Sequence, residues 1–281
     1  MIDLHMHTNV SDGTDTPEEI LARAAEAGLT LFSVTDHDAV KSCERILRRR
    51  TDRDPRFICG VEFSCRDGQG KYHILGYGFD PQAEPIRRVV ETGHRYRMHK
   101  LRARVDFLKS EFGFTFPEHE LSGLFALDNP GKPHIGNMMV RCGFAKTKEE
   151  AMAKYLNRIR FPSEYVRPDE AIQGILEGGG IPVLAHPAYG DGDQLILGEE
   201  MDGRLKRLIG FGLRGLEAYY SGFSPKLRAQ MLAFAEKYDL YITAGSDYHG
   251  ENKLIQLGDT GLVPGAELPA RLKRFIGDIT P

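Results

Sequence analysis

Cysteine is scarce in this chain and follows no pattern. Cys43, Cys59, Cys65 and Cys142 show no Cys-x-x-Cys spacing, which argues against a disulfide framework and leaves reduced core or surface thiols as the expectation. Long apolar runs are also missing. None approaches the roughly 20 residues that span a bilayer, and no basic-then-apolar leader precedes the first strand, so the expected location is cytoplasmic. Charge of one sign is not in excess: 37 Lys and Arg stand against 40 Asp and Glu, a net charge of −3. There is then no general attraction to nucleic acid or an anionic membrane, and any polyanion must be held by a local patch or by metal. A Gly-x-Ser-x-Gly nucleophile elbow and a Gly-rich phosphate loop are both absent, which argues against serine-type covalent catalysis and nucleoside triphosphate use. No internal repeat or low-complexity segment stands out. What remains, 281 residues with 41% hydrophobic and 27% charged content, suits one large domain or one domain carrying an insertion.

Strand and helix signals alternate along most of it. Thr16-Pro17-Glu18-Glu19 reads as an N-cap followed by Pro at the first helical position. Ile20, Leu21, Ala24 and Ala25 supply a buried stripe, and Gly28 stops the helix. Leu31–Val34 is a strand, and 57–63 and 72–77 are two strands joined by the turn-rich Arg66-Asp67-Gly68-Gln69-Gly70. A helix starting near Pro168 leads to strand 181–185, and strands 215–219 and 240–244 flank helix 225–238. Strands separated by helices imply parallel β/α units, and six or seven of them imply a barrel of eight strands or slightly fewer. From about Arg95 to Tyr165 the strand signal vanishes. Helical periodicity at Leu101, Val105 and Leu108 gives way there to the Gly/Pro-rich loop 128–133. The expected division is a barrel built from 1–94 and 166–281, with a mainly helical insertion at 95–165.

Most of the ten histidines close apolar, β-branched runs. His5 and His7 alternate on a strand, so both imidazoles project to one face. Asp12 follows in a Ser-Asp-Gly turn, then come Asp36-His37, Glu62, His73, His186 and Asp247-x-His249. One such residue at a strand end is ordinary; the same event at strand after strand describes ligands ringing one rim of a barrel. Glu62 and His73 flank a short connection and can face each other across a hairpin. Nine donors (His5, His7, Asp12, His37, Glu62, His73, His186, Asp247 and His249) suffice for two or three divalent ions. The imidazole content favours Zn, Mn or Fe over Ca or Mg.

The series His-x-His, Ser-Asp-Gly, Thr-Asp-His, a strand Glu, a hairpin His, Ala-His-Pro and Ser-Asp-x-His resembles the polymerase and histidinol phosphatase (PHP) superfamily. The resemblance covers the chain except the insertion, and no metal position is substituted. It implies an α/β fold, a distorted (β/α)7 TIM-like barrel with a trinuclear site. His5, His7, Glu62 and Asp247 would hold the first ion; Glu62, His73 and His186 the second; Asp12, His37 and His249 the third. Asp36 would then orient a ligand imidazole rather than bind metal. Within the superfamily, the insertion and the segment Lys132-Pro133-His134-Ile135-Gly136 look like the bacterial branch that hydrolyses nucleoside 3′,5′-bisphosphates and short RNA 5′ ends. That branch usually shows Arg-Pro/Thr-His followed by Phe-Ala-Arg, where this chain has Lys132, Ile135 and Asn137.

The resemblance implies a metal-dependent phosphoesterase acting on a phosphorylated small molecule, a nucleotide or short oligonucleotide. A water shared by two ions is acidified towards hydroxide and can attack phosphorus in line. Asp247, His249 and His134 are the catalytic candidates, with His134 or a bound water as general acid. Lys132, His134 and Asn137 are the substrate-binding candidates, and Tyr155 or Phe161 could stack on a base. The segment 87–109 carries eight basic residues against Glu91 and Asp106. It reads either as a solvated helix face or as the approach that holds a second phosphate. A histidinol-phosphate-type monoesterase and a non-catalytic metal-stabilised module are the alternatives. No membrane and no stable protein partner is indicated.

Overall fold

A computed structural model describes residues 1–190 and 194–279. Seven strands form one sheet in sequence order: β1 (Ile2–Asp3), β2 (Leu31–Val34), β3 (Arg56–Asp67), β4 (Gly70–Tyr77), β5 (Ile181–Leu184), β6 (Gly215–Tyr220) and β7 (Tyr241–Gly245). Neighbours are parallel except at β4, which is antiparallel to both β3 and β5. A tight turn returns the chain directly at 67–70, so no crossover helix is available to keep β4 parallel. The sheet closes on itself beyond its regular strands. Leu4 N–H donates to Ala244 O (2.8 Å), Asp247 N–H to His5 O (2.8 Å) and His7 N–H to Tyr248 O (2.8 Å). The strand expected to carry His5 and His7 thus ends in regular pairing at Asp3, but its extended continuation is stitched to the end of β7. The result is the distorted seven-stranded barrel expected from the motifs.

The helices form for local reasons. In α1 (Pro17–Glu26), Thr16 Oγ1 accepts from Glu19 N–H and the Glu19 carboxylate accepts from Thr16 N–H, a complete capping box. The helix buries Ile20, Leu21 and Ala24, and Gly28 turns the chain at φ +68°. The helices α2 (Lys41–Arg49), α7 (Pro168–Glu177), α8 (Gly198–Gly210), α9 (Pro225–Lys237) and α10 (Ala270–Ile279) accompany the barrel. None of the described helices is long and apolar enough to cross a membrane.

Between β4 and α7 lie α3 (Glu84–Phe112), α4 (Glu118–Phe125), α5 (Lys132–Arg141) and α6 (Lys148–Ala151). They enclose their own apolar core of Leu101, Val105, Leu108, Phe116, Leu124, Ile135, Met138, Met139 and Leu156, distinct from the barrel core. The helix α3 serves both. It runs unbroken through position 95, and its first half lies on the barrel rim, where a Cβ on Gly93 would come within 2.8 Å of Asp38.

Three cations on one face of α3, Arg97, Lys100 and Arg104, are turned inward. Lys100 is only 7% exposed, with its ammonium 3.5 Å from the centre of the Tyr165 ring. Burial pulls it down to about 7, partly opposed by Asp38. The unfolded chain then binds more protons than the folded one between pH 7 and about 10, so stability should rise with pH across that window. Lys100→Met is expected to remove this slope and to raise Tm near pH 6.5 by a few degrees, from a gain of about 1 kcal/mol. Thermal melts of both proteins between pH 6 and 9 check this; parallel curves would show that the ammonium is not held at a cost.

Candidate metal centre

Side chains from six of the seven strands or their continuations meet at one rim. His5 and His7 come from the continuation of β1, His37 from the end of β2, Glu62 from β3, His73 from β4, His186 from beyond β5, and Asp247 and His249 from beyond β7. Asp12 is carried by the turn at 8–13, closed by Ser11 N–H and Gly13 N–H to Thr8 O. His5, His7, Glu62, Asp247 and His249 are all buried.

The donors fall into groups. His5 Nε2 lies 3.5 Å from both Glu62 Oε2 and Asp247 Oδ1, and His7 Nε2 lies 3.3 Å from the same two oxygens. Both Nε2 atoms are buried without a hydrogen-bond partner. Four ligands about 2.1 Å from a tetrahedral ion are about 3.4 Å apart, so this spacing fits a shared cation better than direct bonds. On the other side of Glu62, Oε1 is 2.8 Å from His73 Nδ1 and 3.1 Å from His186 Nε2. A third group gathers Asp12, His37 and His249 with His7, His249 Nε2 standing 3.4 Å and His37 Nε2 3.9 Å from Asp12. The three carboxylates among these imidazoles leave the cluster short of positive charge. Burial favours neutral imidazole at His7, yet Asp247 and Glu62 raise it to about 9. Burial would raise Glu62 as well, but His37, His73 and His5 hold it well below the usual carboxylate range. Cys65 is buried in the barrel core.

Several supporting groups were not evident from the sequence. His249 Nδ1 is 2.8 Å from Asp247 O. Asp247 sits at φ +59° and keeps Oδ1 towards His5 and His7, because Oδ2 accepts from Tyr220 Oη (2.9 Å) and Lys253 Nζ (2.6 Å). Asp36 departs from its expected role. It touches no imidazole, accepting instead from Thr8 N–H (2.8 Å), Thr8 Oγ1 (2.7 Å) and Ser11 Oγ (2.6 Å). Its work is to shape the turn that presents Asp12; His7 Nδ1 reaches it only through Ser11 Oγ, 3.4 Å away.

The insertion borders the centre through polar contacts. Arg97 spans Asp12 and Asp38, 3.6 Å from each, and its Nε donates to Asn129 O. Asn137 Nδ2 donates to Asn252 Oδ1 (3.2 Å), and Asn252 Nδ2 donates to Asp12 O (2.9 Å). His134 Nδ1 accepts from Gly131 N–H at the start of α5, and burial lowers its pKa. His134 and Asn137 line a cavity of about 360 Å³ with His119, Glu120, Leu124 and Arg141. Lys132 is placed differently, its Nζ donating to Asn157 Oδ1 at the surface (2.7 Å). Tyr155 packs edge-on to Phe112 and Phe114, and Phe161 lies under the Arg104 guanidinium. Tyr155 is thus part of the insertion core, and Phe161 packs against α3.

The PHP domain family profile matches residues 3–164. The 3′,5′-nucleoside bisphosphate phosphatase of Chromobacterium violaceum is 27% identical over 262 residues, covering 88% of this chain and 87% of that protein. The 5′-3′ exoribonuclease Rnm of Salmonella typhimurium is 28% identical over 268 residues, covering 91% and 87%. An amidohydrolase structure from Chromobacterium violaceum superposes with a TM-score of 0.82 over 99% of this chain and 96% of its own, at 24% identity, a likeness of fold.

Proposed function

Because this chain belongs to the PHP domain family, we propose that its rim cluster is a multinuclear centre that cleaves a phosphate ester of a nucleoside 3′,5′-bisphosphate or the 5′ end of a short oligonucleotide. That the chain is a hydrolase of phosphoester bonds follows from the family and its relatives. The observation that carries the reading is the pair of buried, partnerless Nε2 atoms on His5 and His7, each 3.3–3.5 Å from the same two carboxylate oxygens. Such atoms are costly unless a cation joins them.

His5, His7, Glu62 and Asp247 would hold one ion, Glu62, His73 and His186 a second, and Asp12, His37 and His249 a third. Divalent ions there, of Mn, Zn or Fe, would acidify water and offset charge on the phosphoryl oxygens. Glu62 would set the spacing of the first two positions, since Oε2 faces His5 and His7 and Oε1 faces His73 and His186. Asp247 is kept in place by Tyr220 and Lys253, and His249 by the Asp247 carbonyl. His134, with Nδ1 accepting from Gly131, carries its proton on Nε2 and can present it to the leaving oxygen. Arg97 is the cation of α3 nearest the cluster and suits a second phosphate. The cavity beside His134 and Asn137 has room for the nucleoside part. Lys132 belongs to this set as a peripheral point charge rather than a direct contact.

The test is phosphate release from adenosine 3′,5′-bisphosphate, adenosine monophosphates, a short 5′-phosphorylated oligonucleotide and histidinol phosphate, with and without chelator. The bisphosphate or oligonucleotide should have the highest kcat/KM. His134→Ala should lower kcat on it by about 10²-fold or more. Histidinol phosphate turning over best would return the insertion to a structural role, and no turnover of any ester would favour a non-catalytic module.

A further inference from the structure

The strand β6 contributes no ligand to the cluster, yet Glu217 in its middle is fully buried within reach of it. Its two oxygens have different duties. Oε1 is 3.0 Å from His5 Nδ1, and Oε2 accepts from the His186 backbone N–H at 2.8 Å. His5 is assigned above to the first ion position and His186 to the second. A carboxylate only accepts, so this contact places the His5 proton on Nδ1 and leaves the Nε2 lone pair facing Glu62 and Asp247. At His186 the backbone stands at φ +26°, in the left-handed region that non-glycine residues avoid. The bond to Glu217 Oε2 anchors that residue while its Nε2 reaches Glu62 Oε1. Gly245 of β7 makes room for both partners, since a Cβ there would stand 2.4 Å from Glu217 Oε1 and 2.2 Å from His5 Cβ.

We propose that Glu217 is a positioning residue that couples the first and second ion positions, one carboxylate oxygen fixing the His5 tautomer and the other fixing the His186 backbone. The proposal rests on the ligand assignment above. It makes a specific demand on chemistry rather than size. Two N–H groups converge on this side chain, and a glutamine of the same shape offers only one acceptor. Turned one way, its NH2 meets His5 Nδ1 and drives the imidazole proton onto Nε2, the atom needed as ligand. Turned the other way, its NH2 opposes the His186 N–H and releases the strained backbone.

The experiment is titration of chelated protein with manganese alone, free Mn(II) being read by electron paramagnetic resonance. It is run on wild type and Glu217→Gln, with the Tm of each chelated protein measured alongside. Wild type should bind two or more ions, and the variant should bind at least one of them about 10–100-fold more weakly. Wild type binding none would remove the ligand assignment itself. Wild type binding normally and Glu217→Gln matching it, whatever the change in chelated Tm, would reduce Glu217 to a structural role. Should the variant fail to fold, nitrogen-15 NMR of histidine-labelled, zinc-loaded wild type decides. A proton on His5 Nδ1 with Nε2 shifted as a ligand is expected, and an unprotonated Nδ1 overturns the proposal.

Discussion

Glu62→Gln is expected to lower kcat/KM by about 10³-fold or more, the equivalent of roughly 4 kcal/mol of transition-state stabilisation. Oε2 of Glu62 faces His5 and His7 while Oε1 faces His73 and His186. An amide in its place puts NH2 where one group of ligands needs an anionic oxygen, so one of two neighbouring positions is lost whichever way it turns. Asp36→Asn is the comparison that gives the number meaning. Asp36 works on the Thr8–Ser11 turn, two contacts removed from any proposed ion, and its loss should cost about 10–100-fold. Kinetics of both variants, with bound metal measured by elemental analysis on the same samples, decide the matter. Equal losses at equal occupancy would contradict a bridging role for Glu62.

Chelation should abolish turnover and lower Tm by roughly 10 °C. One ion held at about 1,000 times its Kd adds about 4 kcal/mol to the folded state, and a chain of this size shifts by about 2–4 °C per kcal/mol. Without ions, Asp12, Glu62 and Asp247 remain buried among imidazoles that cannot all be protonated, as the opposite shifts of His7 and His73 show: His7 is raised to about 9, while burial lowers His73 to about 4. Calorimetry of metal-loaded and chelated protein, with activity recovered on adding Mn(II), tests the pair of effects. Full activity in chelator together with no transition metal in purified protein would remove the metal centre from the account.

What could be read from the chain differs between parts of it. The short strands announced themselves because each is an apolar run buried along its whole length, as in Leu31–Val34 and Ile181–Leu184. The proposed ligands stood out because a His or Asp directly after such a run recurs at successive strands. Glu217 gave no such signal: it lies inside a strand, and only the pairing of β6 with β7 and the space left at Gly245 bring it to His5. Lys253 and Tyr220 reach Asp247 from segments whose local pattern is that of an ordinary loop and strand end. The ligand pattern leaves Asp36 to orient an imidazole, but its carboxylate is taken up by Thr8 and Ser11 in the turn before Asp12. In 87–109 the count of basic residues was plain, whereas their division was not. Arg97, Lys100 and Arg104 share one inward face, while Arg88 reaches Glu84 and Glu177 at the surface. The helix α2 buries only Ser42, Cys43 and Ile46, a stripe too short to stand out among its charged residues.

The helix α3 behaves mechanically as a cantilever. Its first turns are clamped where Val89 fills the notch at Gly174 and Gly93 seats on Asp38, and its far end carries the separate core of Leu101, Val105 and Leu108. Load applied at its far end would meet the barrel at Asp38, which holds Arg97 and donates its N–H to Glu62 O (3.0 Å), and at Asp12. On the proposed function, the groups that would meet the nucleoside ride on the outboard core, and most of those that would hold metal ride on the barrel. Repacking the outboard core would then be felt at the rim first through Asp12, which α3 reaches by Arg97 and α5 by way of Asn137 and Asn252.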